Sequence, residues 1–183
     1  MINYKKYTIL ILAVPVFLIW GYLVWDINDR YPNPEEKILL AGEQARYQGI
    51  LLTAGDIKIY SSAEFDALYD YSSGDEKIGT YIVIQAELKN DTEETIILSE
   101  NQPLYWIAEV GYRCSNAVNI DTFQILNKDY TGMVLIEPGE VFKVELPYFI
   151  YSINASYDVI KKQDIRVVYS YYPTKNYILS KGV

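Results

Sequence analysis

The chain has 183 residues, half of them hydrophobic, with a formal charge of −8, one cysteine and no histidine. That length fits one domain with a short appendage and a core that needs neither disulfides nor metal. The absent histidines exclude Ser-His-Asp and Cys-His nucleophile systems, His-ligated zinc and His acid–base catalysis, while the lone Cys114 excludes an intramolecular disulfide and thiolate metal clusters.

Residues 1–6 are a short polar N-terminus ending in Lys5 and Lys6. Tyr7–Trp25 follow as nineteen residues without a charge. As a helix at about 1.5 Å per residue they reach across the hydrocarbon of a bilayer, and they carry no polar stripe that would suit a soluble helix. Pro15 is tolerated in such a helix, and Tyr7, Trp20, Tyr22 and Trp25 place amphipathic rings towards its ends. Lys5 and Lys6 precede the run and Asp26, Asp29 and Arg30 follow it. The expectation is therefore a signal anchor in a cell membrane, with the N-terminus cytoplasmic and the remainder extracellular. The run is longer than the apolar part of a cleaved signal peptide and ends in Leu23-Val24-Trp25-Asp26, a poor cleavage site.

Residues 26–36 are polar, contain Pro32 and Pro34, and read as a semi-extended linker. The expected extracytoplasmic domain is 37–183. All 24 acidic residues lie after Trp25 with 14 of the 16 basic ones, so residues 26–183 carry a formal −10 and are a poor partner for nucleic acid.

Within the domain the period changes to two. Residues 46–60 read as two short strands around a bend at Thr53–Asp56. Ser61–Asp70 reads as one short helix, with a capping box at Ser61 and Glu64 and a face of Phe65, Leu68 and Tyr69. Tyr71–Lys77 is a loop. Thr80–Lys89 alternates as a half-buried antiparallel strand, and Thr95–Leu98 returns beside it after the polar turn Asn90–Glu94. Leu104–Val110 and Gly132–Ile136 are further strands, with a long loop over 111–131 between them. Glu137-Pro138-Gly139-Glu140 suits a type II turn. Val141–Leu146, Ile165–Tyr172 and Asn176–Leu179 complete the set. Roughly seven or eight short strands with little helix predict a mainly β fold, an antiparallel β-sandwich, with a closed barrel as the competing architecture.

Glu87-Leu88-Lys89-Asn90 closing a strand, the turn Glu137–Glu140, a strand ending in Leu146-Pro147-Tyr148 and the Tyr-rich C-terminal strand come in an order that resembles a known group. It is similar to the immunoglobulin-like domains of uncharacterised, membrane-anchored or lipoprotein proteins of Firmicutes. The juxtamembrane stretch Asp26–Pro32 fits the same pattern, so the resemblance extends over most of the chain. It implies an immunoglobulin-like sandwich at the outer membrane face and supplies no catalytic residues. The chain departs from the lipoprotein members in having no cysteine directly following its apolar run.

Chemistry-bearing constellations are sparse. Gly74 and Gly79 form no phosphate-binding loop, and no cofactor motif is present. The acidic pairs Glu93/Glu94, Asp75/Glu76 and Glu137/Glu140 are sequence neighbours in turns and read as solvated charges. Asp70–Glu76 packs oxygen ligands that calcium favours, without EF-hand spacing. The outstanding feature is 19 tyrosines, whose rigid amphipathic rings suit both half-buried strands and binding surfaces. Tyr148, Tyr151, Tyr169, Tyr171, Tyr172 and Tyr177 are the candidate binding surface. The expected function is a non-enzymatic, membrane-tethered interaction module for an envelope protein. The alternative is a domain that binds a small ligand or a cell-wall carbohydrate.

Overall fold

The computed structural model describes residues 4–32, 35–47, 49–72, 78–98, 105–111, 114–128, 130, 134–171 and 173–180, with backbone alone for 4–12 and 98. The chain divides into two compact units, 1–35 and 36–183.

The first unit holds helix α1, Tyr4–Arg30, with Pro15 inside it. Phe17, Leu18, Ile19 and Trp20 are all exposed along it. Among the described side chains, which begin at Ala13, no helix is long and apolar enough to cross a membrane. The helix runs past Trp25 into the expected linker. Arg30 Nε donates to Asp26 Oδ1 at 3.0 Å across one turn, and the first proline after Pro15 is Pro32, so nothing breaks the helix earlier.

The second unit contains, among the described residues, eleven strands and three short helices where one helix was expected. In chain order these are β1 (Glu36–Leu39), β2 (Gln44–Tyr47), β3 (Ile50–Ser61), α2 (Ser62–Tyr69), β4 (Gly79–Lys89), β5 (Ile96–Leu98), β6 (Ile107–Val110) and β7 (Cys114–Ala117). Then come α3 (Ile120–Leu126), β8 (Val134–Ile136), β9 (Val141–Tyr151), α4 (Tyr157–Ile160), β10 (Ile165–Ser170) and β11 (Lys175–Ser180). One sheet has the order β1-β11-β10-β6-β7, the other β2-β3-β4-β9, and β5 and β8 form a separate pair. The fold is a mainly β sandwich, not a closed barrel. Its pairings are antiparallel except β1–β11, which is parallel.

The core lies between the two sheets. Leu52, Ile82, Ile84, Leu88, Val144, Leu146, Ala108, Val110, Ile165, Val167 and Ile178 point into it. They sit on alternate positions of their strands, as a two-layer β fold requires. Trp106 is buried there at 5.6 Å from Tyr47 and 5.7 Å from Tyr169, ring centre to ring centre. A second cluster covers the outer face of the four-stranded sheet. Phe65 of α2 stacks on Tyr81 at 4.0 Å, with Val83 and Phe149 beside them. The capping box of α2 forms as expected, Ser61 accepting from Glu64 N and Glu64 accepting from Ser61 N. Phe65 is buried and Tyr69 half-buried on this cluster, whereas Leu68 faces solvent.

Four expectations are corrected. The bend at Thr53–Asp56 is a bulge within the single strand β3, where Gly55 lets the chain close on the Gln85 backbone. Ile96–Leu98 does not pair with β4; it pairs with β8, while β4 is flanked by β3 and β9. The buried side chain of Asn90 turns the chain away: it donates to the carbonyls of Glu94 and Ile136 and accepts from Thr92 N. Residues 111–131 contain β7 and α3 instead of one long loop, with Asn119 capping α3 through Thr122 N at 3.0 Å. Finally β9 continues through Pro147 to Tyr151. Pro147 is tolerated because β9 is an edge strand, and its carbonyl accepts from Asn119 N at 2.8 Å. The turn Glu137–Glu140 is as read, with Gly139 at φ 81 and Glu140 N donating to Glu137 O at 2.9 Å.

Candidate functional site

The six candidate tyrosines do not form one surface. Tyr148 is fully buried on the inner face of β9, and burial pushes its phenol well above the ordinary range. Tyr169 is buried on the inner face of β10 against Tyr47 and Trp106. Tyr151 is half exposed and meets Phe149 edge-on at 4.9 Å, at the end of the second aromatic cluster. Tyr172 lies outside the described residues. Tyr171 and Tyr177 remain, and both belong to the outer face of the five-stranded sheet.

That face is built from positions that alternate with core residues. Glu109 lies between Ala108 and Val110, Arg166 between Ile165 and Val167, and Tyr177 one residue before Ile178. Lys175 Nζ sits 3.1 and 3.0 Å from the two carboxylate oxygens of Glu109, with both side chains about four-fifths buried. Tyr171 donates its hydroxyl to Glu109 Oε1 at 3.4 Å, and Lys175 Nζ stands 5.6 Å from the Tyr171 ring centre. One strand further, the Arg166 guanidinium lies 5.0 Å from the Tyr177 ring centre, and Tyr177 donates to Glu36 Oε2 at 3.2 Å. The Arg166 side chain lies over the Tyr177 ring, and Tyr177 is buried on this face, outside the core.

The electrostatics follow from these contacts. Burial and the neighbouring Glu109 carboxylate raise the Tyr171 phenol above its ordinary value. Burial also raises Tyr177, opposed by Arg166. Glu36, Glu109, Cys114, Ser115, Arg166 and Lys175 border a groove of about 680 Å³. Two acids and two bases there balance one another, and Tyr171 adds a ring that is 46% exposed yet held by a hydroxyl contact. Such a surface suits a partner carrying complementary polar groups round an aromatic contact. Cys114 is half-buried at the start of β7 and packs against the core, as a small apolar residue would.

Sequence reading found the tyrosines and missed Glu36, Glu109, Arg166 and Lys175. These residues come from four strands, of which β1 and β6 lie far in the chain from the consecutive pair β10 and β11. The available signal was a charged residue flanked by two core residues, as in Ala108-Glu109-Val110 and Ile165-Arg166-Val167. Among the described residues, no group of three or more His, Cys, Asp and Glu side chains could hold a metal ion. The calcium reading concerned Asp70–Glu76, of which Ser73–Glu76 lie outside the described residues.

Residues 36–176 match the family described as Domain of unknown function (DUF5028). The fold is similar to that of an uncharacterized beta-sandwich protein from Clostridium difficile 630, at 13% identity and TM-score 0.49, covering 81% of this chain and 97% of that one. A conserved hypothetical protein from Bacillus anthracis matches at 15% identity and TM-score 0.46, over 76% of this chain and 94% of that one. A functionally unknown protein from Listeria monocytogenes EGD-e matches at 12% and 0.46, over 76% and 80%. No curated protein matches the chain.

Proposed function

We propose, since this chain belongs to the DUF5028 family and that family prescribes no activity, that it is a tethered, non-catalytic binding module displayed outside the cytoplasm. In this reading the uncharged run Tyr7–Trp25 lies within α1 as a single membrane anchor, with Lys5 and Lys6 on the cytoplasmic side. The sandwich is an immunoglobulin-like domain, and the outer face of its five-stranded sheet meets an envelope protein. The observation that carries the reading is Tyr171. Its ring is half exposed but fixed by Glu109 beside a neutralised Lys175, and rigid tyrosines of this kind contribute strongly to interfaces at low entropic cost.

Crosslinking in intact cells, followed by detergent extraction and mass spectrometry of what copurifies with the full chain, tests this. The expected result is a recurring, near-stoichiometric protein that is lost with Tyr171→Ala. An identical set of copurifying proteins from wild type and from Tyr171→Ala sinks it.

The second reading, a small-ligand or carbohydrate binder, is favoured by a separate observation. A cavity bordered by Gln85, Glu87, Lys143 and Glu145 and by the Tyr130 ring lies beside β9 on the four-stranded sheet.

A further inference from the structure

On the outer face of the four-stranded sheet two cross-strand pairs stand side by side. Gln85 lies opposite Glu145, and Glu87 opposite Lys143. Gln85 Nε2 donates to Glu145 Oε1 at 2.7 Å, and Lys143 Nζ lies 2.7 Å from Glu87 Oε1. Pairs two residues apart on one face are separated by about 6.8 Å, so the four polar ends form a short tile.

The wall of the cavity comes from the end of α3. Asn127 donates to the carbonyls of Phe123 and Glu145 and accepts from Glu145 N, so its amide sits on the free edge of β9 as another strand would. It fixes the following turn, which brings up Tyr130 with its ring edge-on to Phe123 at 5.0 Å. Tyr130 closes one side, giving a cavity of about 580 Å³, within the usual range of roughly 300–1,000 Å³ for small-molecule sites.

The chemistry of this lining selects its ligand. The Lys143 ammonium neutralises Glu87, and the Gln85 amide already holds one oxygen of Glu145. Lys128 borders the same cavity, so two carboxylates and two ammoniums balance across the lining, and neither a cation nor an anion meets an excess of opposite charge. An apolar ligand would bury the tile without replacing its water and leave its polar groups unpaired. Each carboxylate keeps an oxygen for further bonds, Gln85 keeps a carbonyl, and Lys143 keeps ammonium hydrogens. A hydroxyl-rich neutral ring donates to the first group and accepts from the last, while its C–H face packs on Tyr130.

We infer that the cavity formed by Gln85, Glu87, Lys143 and Glu145 beneath Tyr130 is a binding site for a neutral saccharide. The inference rests on the second reading above and is independent of the Tyr171 face.

The test is calorimetric titration of the full chain in lipid nanodiscs with two neutral probes, a glucose tetramer and an N-acetylglucosamine tetramer. Saturable binding of either is expected, weakened at least tenfold by Gln85→Ala and by Lys143→Ala and unchanged by Tyr171→Ala. Lys143 is a surface residue, so its variant keeps the test independent of folding. No saturable heat up to about 10 mM of either sugar overturns the inference, since a site weaker than that contributes under ~3 kcal/mol. Binding that survives both tile variants, or that disappears with Tyr171→Ala alone, also overturns it. Neither result bears on the crosslinked partner, which is read through Tyr171.

Discussion

The side-chain amide of Asn90 closes on the carbonyl of Ile136 at 2.8 Å, tying the end of β4 to β8 across 46 positions of sequence. The same residue is fully buried and satisfied on every side. Nδ2 also donates to Glu94 O at 2.7 Å, and Oδ1 accepts from Thr92 N and Oγ1. Its backbone N–H donates to Glu140 O and its carbonyl accepts from Gly139 N. Asn90→Ala strands buried carbonyls and is expected to destabilise the domain by about 3 kcal/mol. Asn90→Asp is expected to cost at least as much, because a carboxylate cannot donate to those carbonyls. Urea unfolding of the three proteins measures both, and a loss below about 1 kcal/mol for Asn90→Ala would show that the turn holds without this amide.

That residue also marks where the sequence stops being legible. The period of Thr80–Lys89 identified β4, its inner face and its antiparallel setting correctly. The partner of Ile96–Leu98 could not be read, because the local pattern of two strands round a polar turn looks the same whether or not they pair. What decided it was a contact from Asn90 to β8. Alternation likewise told which face of β4 was apolar, but not that α2 would cover the other face. Tyr81 and Val83 were signals of that second layer, since they leave both faces of the strand start apolar. Of the tyrosines, those on the inner strand positions became core and those beside charged residues became surface. Strand register alone separates them, and register is set by distant partners such as the Val168–Tyr177 pair.

Two glycines separate a packing constraint from a torsional one. A Cβ at Gly55 would collide with the Gln85 carbonyl and lie 2.8 Å from Gln85 Cβ, so β3 and β4 would have to part. Gly42 has φ +83 and open space around it. Gly42→Ala is expected to cost about 1 kcal/mol from backbone strain. Gly55→Ala is expected to cost about 3 kcal/mol or to prevent folding. Thermal unfolding followed by circular dichroism compares them, and equal losses would contradict the bulge geometry.

Alkaline pH should unfold the domain through its tyrosines. Burial, followed by Coulombic effects from Tyr71 and Asp66, raises Tyr81 from 10.0 to about 12. Tyr148 and Tyr169 are raised too, by burial. The unfolded chain loses these phenolic protons first, so the native state binds more protons above pH 10. The stabilisation of neutral Tyr81 is complete below pH 10 and is lost as pH rises towards about 12. Unfolding free energy is therefore expected to fall across that window, less steeply in Tyr81→Phe. Denaturant titrations at increasing pH, with tyrosinate absorbance recorded in parallel, check this. A slope unchanged by Tyr81→Phe would place the effect in the other phenols.

The two ion pairs on opposite faces should differ in strength against the order of their lengths. Lys143–Glu87 is the shorter at 2.7 Å, but its side chains are 76% and 45% exposed, and water and salt screen it. Lys175–Glu109 is 3.0 Å long with 18% and 23% exposure, and Glu109 also accepts from Tyr171. Glu109→Gln leaves a largely buried ammonium without its counter-charge and is expected to cost about 2 kcal/mol, most of which Lys175→Met should restore in the double variant. A double-mutant cycle is expected to give a coupling of about 1–2 kcal/mol for Lys175–Glu109 and under about 0.5 kcal/mol for Lys143–Glu87. Raising the salt should erase the second and leave most of the first. If the couplings came out in the order of the distances instead, burial would not be what gives the Tyr171 face its rigidity.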